Sequence, residues 1–186
     1  MDSENQQGYQ MGLALAEYAI SRTCVTRFRG HSEMNNGSED LQASEILKLL
    51  RSEQILMVNA RRRNGLILYK QYHAEFAGPG AAVGGFYDRD CQWALPVGHL
   101  SLLTPESHEE RQKAYLIRRQ WIRLTRKITE NPVPQQRVQI ILNQFENYFD
   151  VETIAQLPDE AFALSVGVLP QTVNLVRRTQ ERVGGE

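Results

Sequence analysis

The feature that most constrains the fold is an apolar run between residues 107 and 130 with alternating spacings of three and four. Its members are Ala114, Ile117, Trp121, Leu124 and Ile128. An α-helix turns once every 3.6 residues, so residues at these spacings share one face, which must be buried. Ser107 or Thr104 can cap the start of this helix, and Asn131-Pro132 ends it. The sequence therefore predicts a long amphipathic helix over residues 107–130.

The rest of the C-terminal half is also predicted to be helical. Apolar residues at helical spacing predict a second helix from about Pro134 to Phe149, and a third, short helix begins near Val151. Pro158 restarts the chain into a last pair of helices. We therefore predict a mainly α protein. Its region 107–186 is helical and ends in a helix-turn-helix-like pair, and its region 1–106 contains mixed helices with a short β-hairpin.

The N-terminal half gives weaker signals. Residues 8–23 have a mostly apolar stripe and predict a helix, and a further helix buries Ile46, Leu47, Leu49 and Leu50. Two apolar runs at 54–76 flank the turn signal Asn64-Gly65. They fit two strands of a hairpin, which we favour, or a broken pair of helices. The Gly-rich and aromatic stretch at 78–103 is expected to be irregular.

A second spacing, near the C-terminus, points to a packed pair of helices. Ala163 is followed four residues later by Gly167, and Val173 lies six residues beyond that. Alanine allows two helices to approach closely, and glycine tolerates the positive φ that ends many helices. The apolar residues that flank these positions are Phe162, Val166, Val168 and Val176. This pattern predicts a helix, a tight turn and a second helix docked on the first.

Residues 159–182 resemble the helix-turn-helix of bacterial transcriptional regulators. The resemblance implies that the helix beginning at Pro170 enters the major groove of DNA. Glutamine and asparagine can recognise adenine and arginine can recognise guanine, whereas other arginines contact phosphates. The implied DNA-binding residues are Gln171, Thr172, Asn174, Arg177, Arg178 and Arg182. Such regulators bind as dimers, so the resemblance also implies a homodimer, with region 1–106 supplying dimer contacts or effector sensing.

Basic residues are concentrated in the long predicted helix, where the chain has no acidic residue between Arg111 and Lys127. The overall net charge is −1, so attraction to nucleic acid would need a local basic face of this kind. Candidate contacts to phosphates or to a partner are Arg118, Arg119, Arg123, Arg126 and Lys127. The alternative is that acidic residues at 146–160 neutralise this face within the fold.

A second function fits the same sequence. The aromatic stretch at 78–103 and the basic helix at 111–127 could together contact a protein, which would make this chain a non-enzymatic adaptor or assembly factor. If Arg177, Arg178 and the bases at 111–127 share one exposed surface, DNA binding is favoured. Pairing of the 111–127 bases with the acids of 146–160 would favour the adaptor.

The sequence offers no catalytic or metal-binding pattern. His31, His73, His99 and His108 have no partner at a metal-ligand spacing such as HxxxH. Residues 87–91 gather reactive side chains, but neither a base nor an oxyanion site follows from their order. We expect a protein that is not an enzyme and that has no cofactor.

The expected location is the cytoplasm. The first ten residues are polar and acidic, unlike a secretion signal, and the apolar runs are too short to span a membrane. Cys24 and Cys91 lie far apart without CxxC spacing, which indicates neither a disulfide framework nor a zinc site.

Overall fold

The computed structural model describes the backbone of residues 38–183 and the side chains of residues 45–180. The helix predicted at 8–23 lies outside the described residues, as do His31 and Cys24. The first part of the described chain contains α1 and six short strands. These elements are α1 (Ser38–Arg51), β1 (Ile55–Val58), β2 (Asn64–Tyr69), β3 (Ala74–Ala77), β4 (Ala82–Gly84), a 3-10 turn (Gly85–Asp88), β5 (Trp93–Gly98) and β6 (Leu102–Leu103).

The strands form two antiparallel three-stranded sheets, with the orders β4-β1-β6 and β3-β2-β5. In the second sheet, Ile67 of β2 pairs with Phe76 on one side and with Leu95 on the other. Central β2 is buried at every position except Tyr69. A strand that is buried on both faces has no alternation of polar and apolar residues. Its sequence therefore lacks the period of two that identifies a half-exposed strand.

The prediction of a mainly α protein is therefore wrong. Across the described residues the fold is mixed, with 51% helix, 18% strand and both sheets in the N-terminal half. The stretch at 78–103, predicted to be irregular, contains β4, β5 and β6. These strands have six residues or fewer and gain their stability from pairing and burial rather than from local propensity.

The predicted hairpin is also wrong in its pairing. The two apolar runs do form strands, but β1 and β2 belong to different sheets. Asn64-Gly65 is not a turn and instead begins β2. The buried Asn64 amide donates to the carbonyls of Asn59 and Arg62 at 2.8 and 3.0 Å, so it fixes the loop before the strand. The actual hairpin joins β2 to β3, and it closes where the Lys70 amide donates to the His73 carbonyl at 2.8 Å.

The second part of the described chain contains only helices. They are α2 (His108–Thr129), α3 (Pro134–Glu146), α4 (Val151–Ala155), α5 (Asp159–Val166) and α6 (Pro170–Val183). The long helix predicted over 107–130 is present, and the Ser107 hydroxyl caps it by accepting from the Glu110 amide at 3.0 Å. None of the helices in the described part of the chain is long and apolar enough to cross a bilayer.

Trp121 of α2 joins the strands to the helices. Its ring meets Phe76 of β3 and Tyr148, each with ring centroids 5.0 Å apart. Gly78 lies directly beneath the indole, since a Cβ there would come within 2.4 Å of it. The predicted division at residue 106 falls between β6 and α2, and the apolar core crosses it.

Candidate nucleic-acid interface

The last two helices pack on each other through small and β-branched residues. Helix α5 ends at Gly167, which has the left-handed angles φ 64° and ψ 51°. The apolar residues expected between the helices are all buried: Phe162, Ala163, Val166, Val173 and Val176. The Val168 amide donates to the Ala163 carbonyl at 3.0 Å and so tightens the turn. The geometry of a helix, a glycine turn and a docked helix is therefore present.

The residues that the resemblance assigned to DNA divide into two groups. Gln171 and Arg178 are exposed on α6, and Thr172 is half-buried. Asn174 is directed inward instead, where its amide donates to the Asp159 carboxylate at 3.2 Å. The side chain of Arg182 lies outside the described residues. The outer face of α6 therefore presents Gln171 and Arg178.

Arg177 belongs to the interior of the helix pair. Its guanidinium donates to the Leu157 and Ile154 carbonyls at 3.0 and 3.3 Å and pairs with Asp159 at 3.3 Å. It also lies over the Phe162 ring, 5.0 Å from the centroid. Carbonyls at the end of a short helix such as α4 need donors, and arginine supplies them there. Since its donors are directed inward, we leave Arg177 out of the interface proposed below.

Helix α2 separates its bases between an inner and an outer face. Arg118 is buried, whereas the other candidate bases are exposed: Arg119, Arg123, Arg126 and Lys127. Residues 119, 123 and 126 follow helical spacings of four and three, so they line one side of the helix. Among the described side chains, no ion pair joins these four bases to an acidic residue. We call Arg119, Arg123, Arg126 and Lys127 the basic stripe.

The basic stripe leads to the turn between α5 and α6. Arg126 lines a cleft of about 270 Å³ together with Leu164, Ser165 and Gly167. Arg137 of α3 closes the other side of this turn, where its guanidinium donates to the Gly167 carbonyl at 3.2 Å. Arg126, at the C-terminal end of the basic stripe, therefore lies beside the turn that leads into α6.

A buried cluster of charges lies beneath α2, and the sequence did not reveal it. The Lys70 ammonium, in the turn between β2 and β3, contacts the buried Asp88 at 3.1 Å and the exposed Asp90 at 2.5 Å, and it donates to the Tyr87 carbonyl at 2.8 Å. Burial disfavours the charged ammonium, but the hydrogen bonds and charges of Asp90 and Asp88 outweigh it, so the pKa of Lys70 lies above its ordinary value. Asp88 is almost fully buried and also accepts from the Gly84 amide at 2.8 Å.

Arg118 joins this cluster from the helix side. One terminal nitrogen, Nη2, donates to Glu75 and lies 3.5 Å from Asp88. Burial alone would raise the pKa of Glu75, but Arg118 and the hydrogen bond from His73 lower it below its usual range. The other terminal nitrogen, Nη1, is buried and has no hydrogen-bond partner among the residues that the structure describes.

The remaining reactive side chains near this cluster do not form a metal site. Burial and the Asp88 charge raise the pKa of the Cys91 thiol to about 11, so the thiol is neutral at pH 7. Within residues 45–180, no group of His, Cys, Asp and Glu is arranged to hold a metal ion. The cluster is therefore an ion-pair network that fixes α2 against the strands.

Aromatic side chains are exposed on the 3-10 turn beside α2. Phe86 and Tyr87 are 77% and 67% exposed, and Leu116 of α2 is 56% exposed. The rings form a continuous series, with centroid distances of 6.2 Å from Phe86 to Tyr87 and 5.2 Å from Tyr87 to Tyr115. We call Phe86, Tyr87, Tyr115 and Leu116 the aromatic patch. Apolar patches of this kind often contact other proteins.

Comparison with known proteins gives no relative from which a role could be transferred, so functional reasoning depends on the geometry of this chain alone. No protein-family model, curated protein or solved structure matches the chain.

Proposed function

We propose that this protein is a DNA-binding regulator and that its basic stripe and the outer face of α6 contact the duplex. The observation that carries this proposal is the basic stripe itself, which is exposed and free of ion pairs with the described side chains. Its member Arg126 lies beside the α5–α6 turn. Arg118, by contrast, is buried and paired with Glu75 and Asp88, so it serves the fold. Unpaired arginines on one side of a helix suit a polyanion.

The stripe and α6 have different roles in this proposal. From Arg119 to Lys127 the stripe covers about 12 Å of helix, at about 1.5 Å per residue. Duplex DNA carries about one charge per 1.7 Å of its axis, so several phosphates lie within reach of this length. Gln171 and Arg178 then contact base edges, since glutamine can pair with adenine and arginine with guanine. Pro170 suits the first position of α6, whose N-terminal end enters the groove in this proposal.

The proposal includes the wider expectations that follow from a regulator. The protein acts as a homodimer in the cytoplasm and is not an enzyme. It requires no cofactor for binding. The two-fold symmetry of a dimer would match a palindromic site, and each protomer would contribute one basic stripe.

The test compares two variants with equal loss of charge. One replaces Arg119, Arg123 and Arg126 by glutamine, and the control replaces the exposed residues 61–63, all arginine, by glutamine. Affinity for a labelled random-sequence duplex is measured by fluorescence anisotropy at several salt concentrations. Each lost phosphate contact reduces the slope of log K against log salt by about 0.9, so the stripe variant should lose about 2.7.

The outcomes separate the proposal from non-specific charge effects. The control should keep its slope, because the arginines at 61–63 lie in the loop between β1 and β2 and belong neither to the basic stripe nor to α6. The proposal is rejected if the wild-type protein shows no salt-dependent affinity, or if both variants lose slope equally.

The aromatic patch favours a second candidate, a protein-interaction adaptor. A patch that includes Phe86 and Tyr87 at such exposure has the composition of an interface centre, where aromatic residues are enriched. A photo-reactive residue in place of Phe86 should then crosslink to a protein of defined mass. The same residue in place of Val151, which is 78% exposed on α4, is the control and should not crosslink.

A further inference from the structure

A cleft of about 520 Å³ lies between the strands, the 3-10 turn and α2. Acidic and basic side chains of the buried cluster contribute to its lining, and apolar and aromatic side chains complete it. Its lining includes Glu75, Ala82, Asp88, Tyr115, Leu116 and Arg118. A volume of this size is within the usual range for small-molecule sites.

The cleft contains a hydrogen-bond donor that is not used. The side chain of Arg118 is only 9% exposed. Its Nη2 nitrogen is engaged by Glu75 and Asp88, whereas its buried Nη1 has no partner among the described residues. Buried polar groups in folded proteins nearly always have a partner, so this guanidinium nitrogen is available to an acceptor from outside the chain, which can be water or a ligand atom.

The charges around Arg118 decide what kind of acceptor fits. Two cations, Lys70 and Arg118, are joined to three carboxylates, those of Glu75, Asp88 and Asp90. Arg119 also lines the cleft, but its side chain is exposed. The Arg118 guanidinium is already shared between the carboxylates of Glu75 and Asp88, so a ligand carboxylate or phosphate beside Nη1 would meet repulsion from both. An uncharged oxygen satisfies the nitrogen without adding negative charge.

We propose that this cleft binds an uncharged aromatic molecule that carries a carbonyl oxygen, such as an aromatic amide. The oxygen accepts a hydrogen bond from Arg118 Nη1. The ring packs against the apolar lining from Ala82, Tyr115 and Leu116, where edge contacts with the tyrosine ring are available. This inference stands on the cleft alone and does not depend on binding to DNA.

The experiment uses benzamide and benzoate as a matched pair of probes, because they differ mainly in charge at the position of the amide. Each is titrated into the ¹⁵N-labelled full-length protein, and amide shifts are followed by NMR. Benzamide should produce saturable shifts at Ala82, Tyr115 and Leu116. Benzoate should bind at least about tenfold more weakly, a difference that corresponds to about 1.4 kcal/mol.

Two variants test the location of binding. Leu116→Trp fills the cleft from its exposed wall without removing a buried charge, and it should abolish the benzamide shifts. Val151→Trp adds the same bulk at an exposed position on α4 and should leave the shifts unchanged. The proposal is overturned if benzamide causes no saturable shift, if benzoate binds as tightly as benzamide, or if the shifts persist in Leu116→Trp.

Discussion

Arg177 and Arg178 are adjacent in sequence, yet one side chain is bonded inward and the other is exposed. The proposed function assigns them different roles, and a pair of alanine variants tests this directly. Arg177 is one-fifth exposed. Its guanidinium donates to two backbone carbonyls, pairs with the Asp159 carboxylate and lies over the Phe162 ring. Arg178 is exposed and makes no hydrogen bond or ion pair with the other described side chains. We expect Arg177→Ala to reduce stability and Arg178→Ala to reduce DNA affinity.

The magnitude for Arg177 follows from its contacts. A hydrogen bond to a charged group is worth about 1.5–3 kcal/mol, and a partly exposed ion pair adds at most about 1 kcal/mol. A guanidinium over an aromatic ring contributes about 0.5–1 kcal/mol. Contributions from one side chain are not additive, so we expect a loss of about 2–4 kcal/mol. Arg178→Ala should change the free energy of unfolding by less than about 0.5 kcal/mol, as surface substitutions usually do.

Urea denaturation of both variants measures these free energies, provided that the slope m is unchanged, because a change in slope would indicate an altered unfolded state. Anisotropy with a labelled duplex measures affinity for DNA in the same preparations. The reasoning is refuted if the two variants are equally stable. It is also refuted if Arg177→Ala loses DNA affinity while keeping the stability of the wild type.

Three further substitutions test the packing, the charge cluster and the turn. Trp121→Ala should cost about 3 kcal/mol in urea denaturation, because the indole joins the strands to the helices; a loss below about 1 kcal/mol would contradict this. The pKa of Glu75 is lower in the folded protein than its ordinary value of 4.5, so its carboxylate stabilises the fold at pH values above 4.5. This stability is lost as the pH falls through the pKa of Glu75 in the folded protein. Glu75→Gln should therefore flatten the fall in stability below about pH 4.5, and an unchanged pH profile would argue against the Glu75–Arg118 pair. Gly167→Ala should cost about 1–2 kcal/mol in thermal denaturation from its positive φ alone, because the nearest atom is 3.8 Å from the added Cβ; a neutral effect would count against the left-handed turn.

The helical half could be predicted because its information is local. The apolar spacing around Trp121 places α2 correctly, and a hydroxyl at Ser107 marks its start. Gly167 likewise identifies the turn between α5 and α6, since few other residues accept its φ. Periodicity, caps and glycine turns are properties of neighbouring residues, so they remain visible in the sequence alone.

The sheets could not be predicted in the same way, because their pairing is not local. β1 pairs with β6, which lies more than forty residues later in the sequence. β2, the strand that directly follows β1 in the sequence, belongs to the other sheet. Short strands with both faces buried resemble short buried helices in sequence. The turn signal Asn64-Gly65 was misleading because the asparagine side chain serves the preceding loop and the glycine makes room for the Phe76 ring, 2.4 Å from an added Cβ.

The buried charge cluster could be predicted in part, less well than the helices and better than the sheets. Arg118 occupies the inward stripe of α2, four residues after Ala114 and three before Trp121, so helical spacing alone places its side chain toward the core. A buried guanidinium requires acidic partners, and the sequence therefore implies that carboxylates exist elsewhere to meet it. It does not identify them, because Glu75 and Asp88 reach it from a strand and a 3-10 turn that only the folded sheets bring together. The bases of α2 therefore become informative once the buried ones are separated from the exposed ones. The buried Arg118 stabilises the fold and lines the cleft, whereas the exposed basic stripe remains available to a partner.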